Sequence, residues 1–447
     1  MVVQMAIIKP FTGLFYNKKI IENIGDVTAP PYDVISQKEQ QELYLKHKFN
    51  IVRLILGKEY KSDNEKNNRY NRARELFVKW QKDNILCKDE KTSFYCYTQE
   101  YSISDEILER KGFIALLKIA DFDEKVVFPH EKILSKPFED RVNLIRECKA
   151  NFSPIFMLYS DKNDAINKLF NPFLKKNAFI NIIDKENIRH KLWKVSDDEV
   201  IADIKKTFRN KSLIIADGHH RYSASIRVRN LMREKISKTN SENPFDYVMV
   251  YFSYLEDKGL SILPIHRLIY GLKNFNRQTT LKKLSFYFNI EMYSMKKESN
   301  ENVLSRLKEE KLKLNNNVFT LYFRSDDRFY ILHGIRDKID TFLKNSDVSP
   351  ELAKLDVVVF HKIICEKILG ISKKAQEKEQ NIVYIKGNED IDNVIKRKDY
   401  QMSFFLNPLN ANDIFKVVKK GRLLPQKTTF FYPKLISGFV INRMEGI

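Results

Sequence analysis

Five consecutive residues, Asp217, Gly218, His219, His220 and Arg221, combine a carboxylate, a residue without a side chain, two imidazoles and a guanidinium. Such a set can hold an anion. Gly218 lets a phosphate approach the backbone closely, His219, His220 and Arg221 add donors and charge, and Asp217 suits a metal ion or a substrate hydroxyl. The elements that must position them can be read from the flanks. Leu213-Ile214-Ile215 is a short apolar β-type run, and beyond Arg221 the residues Ala224, Val228, Leu231, Met232 and Ile236 recur on one helical stripe. Strand, tight turn and helix N-terminus follow in that order, so the N–H groups of the first helical turn and the positive end of the helix dipole face outward together. The plainer alternative is Asp217 as a helix cap beside ordinary turn histidines. Five polar, small or ionisable residues in a row at one junction favour a functional site.

A second stretch, Val126 to Phe156, places His130 and Glu131 directly after a strand and Pro129. Strand ends commonly carry binding groups, and a glutamate beside a histidine can act as a base tuned by its surroundings, although His-Glu pairs are also frequent on plain surfaces. A helix from about Phe138 carries Arg141 and Arg146 on different faces, and Ser153-Pro154-Ile155-Phe156 leads back into a strand. Upstream, Ala29-Pro30-Pro31-Tyr32-Asp33 is held extended by its prolines and presents Tyr32 and Asp33 before a helix opened by the capping box of Ser36 and Glu39. That loop is either structural or site-lining.

The 447 residues carry 43% hydrophobic side chains and a formal charge of +20. A large core in two or three domains is expected. No run of eighteen apolar residues occurs, and Pro10 interrupts the start before a signal sequence could form, so a cytoplasmic protein is expected. Cys87, Cys96, Cys148 and Cys365 lie far apart without a CxxC pair, which predicts buried thiols rather than zinc or disulfides. The excess of basic residues is interleaved with acids, as in VLSRLKEEKLKL from Val303, and reads as solvated helix faces; nucleic acid is not the expected partner.

The strand, the His-Glu pair, an arginine about ten residues later, the Ser-Pro-Ile return strand and the Asp-Gly-x-His-Arg turn together resemble the ParB/sulfiredoxin superfamily and, within it, the free serine kinases. The resemblance covers mainly residues 110–235. It implies that the turn from Asp217 to Arg221 holds nucleotide phosphates and that Glu131 deprotonates the substrate hydroxyl. Asp217 and His220 would join Glu131 in catalysis, with Mg²⁺ near Asp217, ATP or ADP as the nucleotide, and His130, Arg141, Tyr32 and Asp33 toward the substrate. The implied activity is a kinase acting on a small hydroxylated metabolite, free L-serine above all. The alternative is a ParB-like nucleotide switch or DNA-associated regulator; no helix-turn-helix signature accompanies the charge. Separately, the motifs PPYDVIS from Pro30, PHE from Pro129, ADGHHRY from Ala216, LPIHR from Leu263 and PQKTTFFYPK from Pro425 resemble a large prokaryotic family of unknown function.

The expected fold is α/β with mixed α+β character: an N-terminal α/β region over 1–109, a ParB/sulfiredoxin-like nucleotide-binding core over 110–275 with an insertion at 161–203, and a C-terminal α+β region over 276–447. Within these, Asn50 to Gly57 reads as a buried strand in which Arg53 is odd, and residues 66–86 as a helix burying Ala73, Phe77 and Trp80. Two strands follow over 93–100 and 111–118, and another over 247–254. Leu263 to Arg267 puts His266 and Arg267 just past a strand. Pro350 to Leu369 reads as one apolar helix with His361 as a satisfied core residue, and helices are expected over 303–312 and 390–396. The aromatic, lysine-bearing tail from Leu424 to Lys434 either closes over a polyanionic ligand or packs as an edge strand.

Overall fold

The structure is a computed structural model that describes residues 5–444 apart from 104–105, 132–134, 236–241, 295–308, 310–315, 325, 347, 388–395, 398 and 426. It is mixed α/β. The chain forms two compact units, residues 1–129, 133–261 and 433–447 in one and residues 130–132 and 262–432 in the other. The boundary expected at 109/110 falls inside the strand Glu106–Lys118, half of a long hairpin, and so separates nothing. Among the described residues no helix is long and apolar enough to cross a membrane.

The first unit is built on a nine-stranded mixed sheet. Its order runs Val127–Phe128, Leu213–Asp217, Ile155–Tyr159, Tyr247–Tyr254, Glu106–Lys118, Phe94–Ile103, Arg189–Val195 and Ile180–Ile183, with Ile8–Lys9 also paired to Glu106–Lys118. Leu213–Asp217 runs parallel to Val127–Phe128, and Tyr247–Tyr254 runs parallel to Ile155–Tyr159; the other pairs are antiparallel. The central strands are aromatic and β-branched on both faces, as suits a sheet covered on both sides. One face packs Phe113, Met157, Ile215 and Val250 against Phe170 and Phe208 of the helices Ala165–Leu174 and Asp198–Phe208. The segment 161–203 is therefore no outlying insertion: it supplies one of those helices and two sheet strands.

The second unit is a six-stranded antiparallel sheet in the order Phe288–Ser294, Arg328–Gly334, Val318–Phe323, Met402–Leu406, Ile265–Ile269 and Ile382–Lys386. Leu321, Leu332 and Phe404 pack with Leu284, Ile339 and Phe360 from its helices.

Several local expectations fail for identifiable reasons. Residues Asn50 to Gly57 form a helical turn, Val52–Ile55, because the Asn50 side chain accepts from the Val52 N–H at 2.9 Å and donates to the carbonyls of Asp26 and Thr28. Arg53 is then half-buried over the Tyr44 ring and donates to the Tyr44 carbonyl, which removes its oddity. The helix expected over 350–369 is broken into Pro350–Ala353, Asp356–Val359 and a widened π-type stretch, Phe360–Ile368. The helices expected over 303–312 and 390–396 fall almost wholly outside the described residues. All four cysteines are free thiols, with Cys96, Cys148 and Cys365 buried.

Candidate functional site

Strand Leu213–Asp217 ends in a register irregularity between Ile215 and Asp217, which turns the Asp217 carboxylate out of the ladder. Gly218 follows at φ +95°, and a Cβ there would sit 3.0 Å from the Arg221 guanidinium, so both conformation and space require glycine. The helix His219–Lys235 starts at once. Arg221, only 9% exposed, donates from Nη2 to Asp217 Oδ2 at 2.7 Å and from Nη1 to the Pro154 carbonyl at 2.5 Å. It thus ties the turn to the entry of the neighbouring strand. Lys434 Nζ holds the other Asp217 oxygen. With a cation on each oxygen, Asp217 does not fit a protein-bound Mg²⁺.

Helix His219–Lys235 is fixed along its length, so its first turn is held in place. Tyr222 exchanges hydrogen bonds with both the carbonyl and the N–H of Ala120, and Arg229 clasps both oxygens of Asp121 at 2.7 and 2.9 Å while donating to the Ile119 carbonyl. Ala224 and Val228 pack against Val142 and Ile145 of helix Ser135–Cys148.

That second helix delivers Arg141 to the same neighbourhood. Arg141 is 5% exposed; its Nε donates to Asp140 Oδ2 at 2.7 Å, its Nη2 to the Ile55 carbonyl at 3.0 Å, and its guanidinium stacks 3.7 Å above the Tyr32 ring. Tyr32 lies in a single 3₁₀ turn, Tyr32–Val34, held after Pro30-Pro31 as the prolines require, with Asp33 exposed beside it. Burial pushes the Tyr32 hydroxyl up to about 12, with Arg141 and Arg221 opposing and Asp33 and Asp140 adding to the rise. Burial likewise lowers the pKa of His220, reinforced by Arg221 and Arg141 and opposed by Asp33 and Asp217. His220 is therefore neutral near pH 7 and able to accept a proton. The first unit thus brings Tyr32, Asp33, Arg141, Asp217, Gly218, His220 and Arg221 together from three segments distant in sequence.

Other expected residues belong to the second unit. His130 and Glu131 belong to the second unit, where His130 is buried, its Nε2 lies 2.9 Å from Thr429 Oγ1 and its carbonyl accepts from the Leu424 N–H. His266 and Arg267 sit inside strand Ile265–Ile269 rather than past a strand, 3% and 1% exposed, so they offer no open anion site. Sequence reasoning overlooked Asp140, which orients Arg141 and accepts from the Tyr70 hydroxyl at 2.9 Å. It named the lysine-bearing tail without its contact: Lys434 reaches Asp217, whereas Lys427 pairs with Glu379 in the second unit. The aromatic tail motif was the only signal for Lys434.

A family model described as a protein of unknown function, DUF1015, matches residues 8–358. No curated protein matches the chain. Among solved structures, the chain is similar to a conserved hypothetical protein from Pyrococcus furiosus, at 14% identity over 70% of this chain and 91% of that one, with a TM-score of 0.33. It is also similar to a free serine kinase variant in complex with ADP, at 11% identity over 68% and 84% with a TM-score of 0.33. A third is a C-terminally truncated SbnI from Staphylococcus aureus, at 11% identity over 71% and 82% with a TM-score of 0.31.

Proposed function

The chain belongs to the DUF1015 family, which carries no assigned activity, and from the site itself we propose that the first unit binds the phosphates of ATP or ADP and transfers one to a small hydroxylated metabolite, free L-serine being the substrate that the motifs suggest. The observation that carries this reading is the convergence of Arg141, Arg221 and Lys434 on the N-terminus of a 17-residue helix at a glycine with φ +95°. Backbone N–H groups from Gly218 to Arg221 would take the terminal phosphates, where the helix dipole favours negative charge. Lys434 is the mobile cation of the set, since it can leave Asp217 for a phosphate while Arg221 keeps the carboxylate paired. The two buried arginines hold the turn and Tyr32 in place.

In the transfer step the substrate hydroxyl oxygen bonds to the terminal phosphorus as the bond to the nucleotide's bridging oxygen breaks, and the hydroxyl proton passes to a base. Neutral, half-buried His220 is the base that the first unit offers. Glu131 holds that role in the motif resemblance. The rest is positioning and charge neutralisation. Mg²⁺ enters this scheme only as the nucleotide's counter-ion.

The test is to incubate the purified chain with ATP or ADP, Mg²⁺ and a pool of amino acids and other hydroxylated metabolites, and to follow phosphorylated products by mass spectrometry. O-phosphoserine is the expected product. Absence of any phosphorylated product together with absence of calorimetric binding of either nucleotide overturns the proposal.

A further inference from the structure

The sheet of the first unit buries an amide and a guanidinium side by side. Gln99 of strand Phe94–Ile103 and Arg110 of strand Glu106–Lys118 are direct cross-strand partners, and both are fully buried. Polar groups in the middle of a sheet are costly unless hydrogen-bonded, so the direction of their donors is informative. Arg110 Nη2 donates to Gln99 Oε1 and, at 2.6 Å, to the Pro433 carbonyl, while its guanidinium lies 4.6 Å from the centroid of the Phe156 ring. Because Gln99 Oε1 accepts from Arg110, the amide is oriented with Nε2 as the remaining donor, and Nε2 donates to the Lys434 carbonyl at 3.0 Å. One cross-strand pair therefore grips two adjacent carbonyls, those of Pro433 and Lys434.

The backbone beyond is held as well. The Ser437 N–H donates to the Ala29 carbonyl at 2.7 Å and the Gly438 N–H to the Phe152 carbonyl at 3.0 Å. Lys434 thus springs from a fixed root, while its ammonium rests on Asp217 Oδ1. Moving that ammonium from the carboxylate to a phosphate takes side-chain rotation alone. No backbone has to be ordered when a nucleotide arrives, so binding is spared that entropic cost.

We infer that Gln99 and Arg110 are positioning residues for nucleotide binding, which set through the Pro433 and Lys434 carbonyls the point from which the Lys434 ammonium reaches the phosphates. The inference rests on the role proposed above for Lys434. It assigns a function to two buried side chains that lie on the central strands and act only through a third residue.

Gln99→Glu separates positioning from plain structural support. It keeps the side-chain shape and an acceptor for Arg110, which pairs the new carboxylate, and removes the N–H donor to the Lys434 carbonyl. Calorimetry of ATP and ADP binding to the full-length wild type, Gln99→Glu, Lys434→Ala and the double variant closes a cycle. Gln99→Glu is expected to weaken binding by about threefold or more, the worth of one neutral hydrogen bond. In the Lys434→Ala background the same substitution is expected to have no further effect, since the ammonium it positions is gone. Gln99→Met, of similar length and neutral, carries the same cycle where Gln99→Glu does not fold; loss of folding in both marks Gln99 as structural and overturns the inference. Wild-type affinity in the Gln99 variant, or equal weakening with and without Lys434, overturns it and leaves the nucleotide reading standing. Unchanged affinity in Lys434→Ala removes the reading and the inference together.

Discussion

Lowering the pH from 7 to 5 should destabilise the second unit by about 4 kcal/mol, well before its carboxylates protonate. Two of its histidines are buried in their neutral forms. His266 Nδ1 accepts from the Leu406 N–H at 3.2 Å, and burial followed by the charge of Arg267 depresses its pKa to about 3. Burial and Arg267 bring His361 to about 3 as well, with Lys362 also lowering it and the bond to Gln376 partly opposing. An unfolded histidine titrates near 6.5. Because the folded values lie below the unfolded one, the unfolded chain takes up protons first as the pH falls, and stability is lost progressively between about 6.5 and 3. At pH 5 each histidine is about 1.5 units below its unfolded pKa, which costs about 2 kcal/mol apiece at about 1.36 kcal/mol per unit. Two such terms are a large share of the roughly 5–15 kcal/mol that holds a typical domain. Both tryptophans, Trp80 and Trp193, lie in the first unit, so their fluorescence reports that unit, while hydrogen exchange at Leu321 and Phe404 reports the second. Urea titrations at pH 7, 6 and 5 followed by hydrogen exchange should show the second unit weakening, and His266→Asn with His361→Gln should flatten the dependence. A flat profile in the wild type, or an unchanged slope in the double variant, refutes the reasoning.

Gly218→Ala should lower the stability of the first unit by about 1–3 kcal/mol and displace Arg221, because a positive φ and a 3.0 Å approach are both violated; a melting temperature equal to wild type counts against the tight turn. Lys434→Ala should weaken ATP and ADP binding about tenfold at little cost in stability, whereas Arg221→Ala should unfold the unit more readily by about 1–3 kcal/mol, since it takes one cation from a part-buried carboxylate and a donor from the Pro154 carbonyl; calorimetry and thermal melts separate the two, and unchanged nucleotide affinity in Lys434→Ala contradicts the assignment. His220→Asn and Glu131→Gln should each retain nucleotide affinity, and the variant that loses about 10²–10⁴ in phosphoryl transfer identifies the base; full activity in both leaves neither in that role. Binding to mixed DNA duplexes should vanish near physiological salt, as scattered exposed charges are screened beyond about 8 Å; sub-micromolar, sequence-selective binding by fluorescence anisotropy would promote the regulator reading instead.

The strand and helix flanking Gly218 were legible because each obeys one short-range rule, an apolar run for the strand and a helical stripe for the helix, and the strand Tyr247–Tyr254 was legible to the residue for the same cause. Asn50 to Gly57 and the LPIHR motif misled because short apolar runs do not distinguish a strand from a helical turn, or a strand's interior from its end. The meeting of Tyr32, Arg141 and Lys434 around the turn was not legible as geometry. It depends on contacts across more than a hundred residues, and only the chemical character of each residue, not its partner, is written locally. Likewise nothing near His361 announces Gln376, so a histidine expected to be satisfied turns out to be satisfied at one nitrogen alone.

The return of residues 433–447 to the first unit has a consequence for how the protein is made. Leu14 pairs with Ile441, Ala29 with Ser437, and Asn151 with Asn442, so the first unit is stitched shut by residues that leave the ribosome after all of 262–432. Throughout synthesis the nascent first unit must wait with those edges open and with Asp217 lacking its lysine. A chain interrupted between residues 222 and 432 would carry the phosphate turn yet never assemble its full charge, and the cell's proteases would meet it with those edges still exposed. Synthesis of residue 434 and completion of the site are, in this topology, the same event.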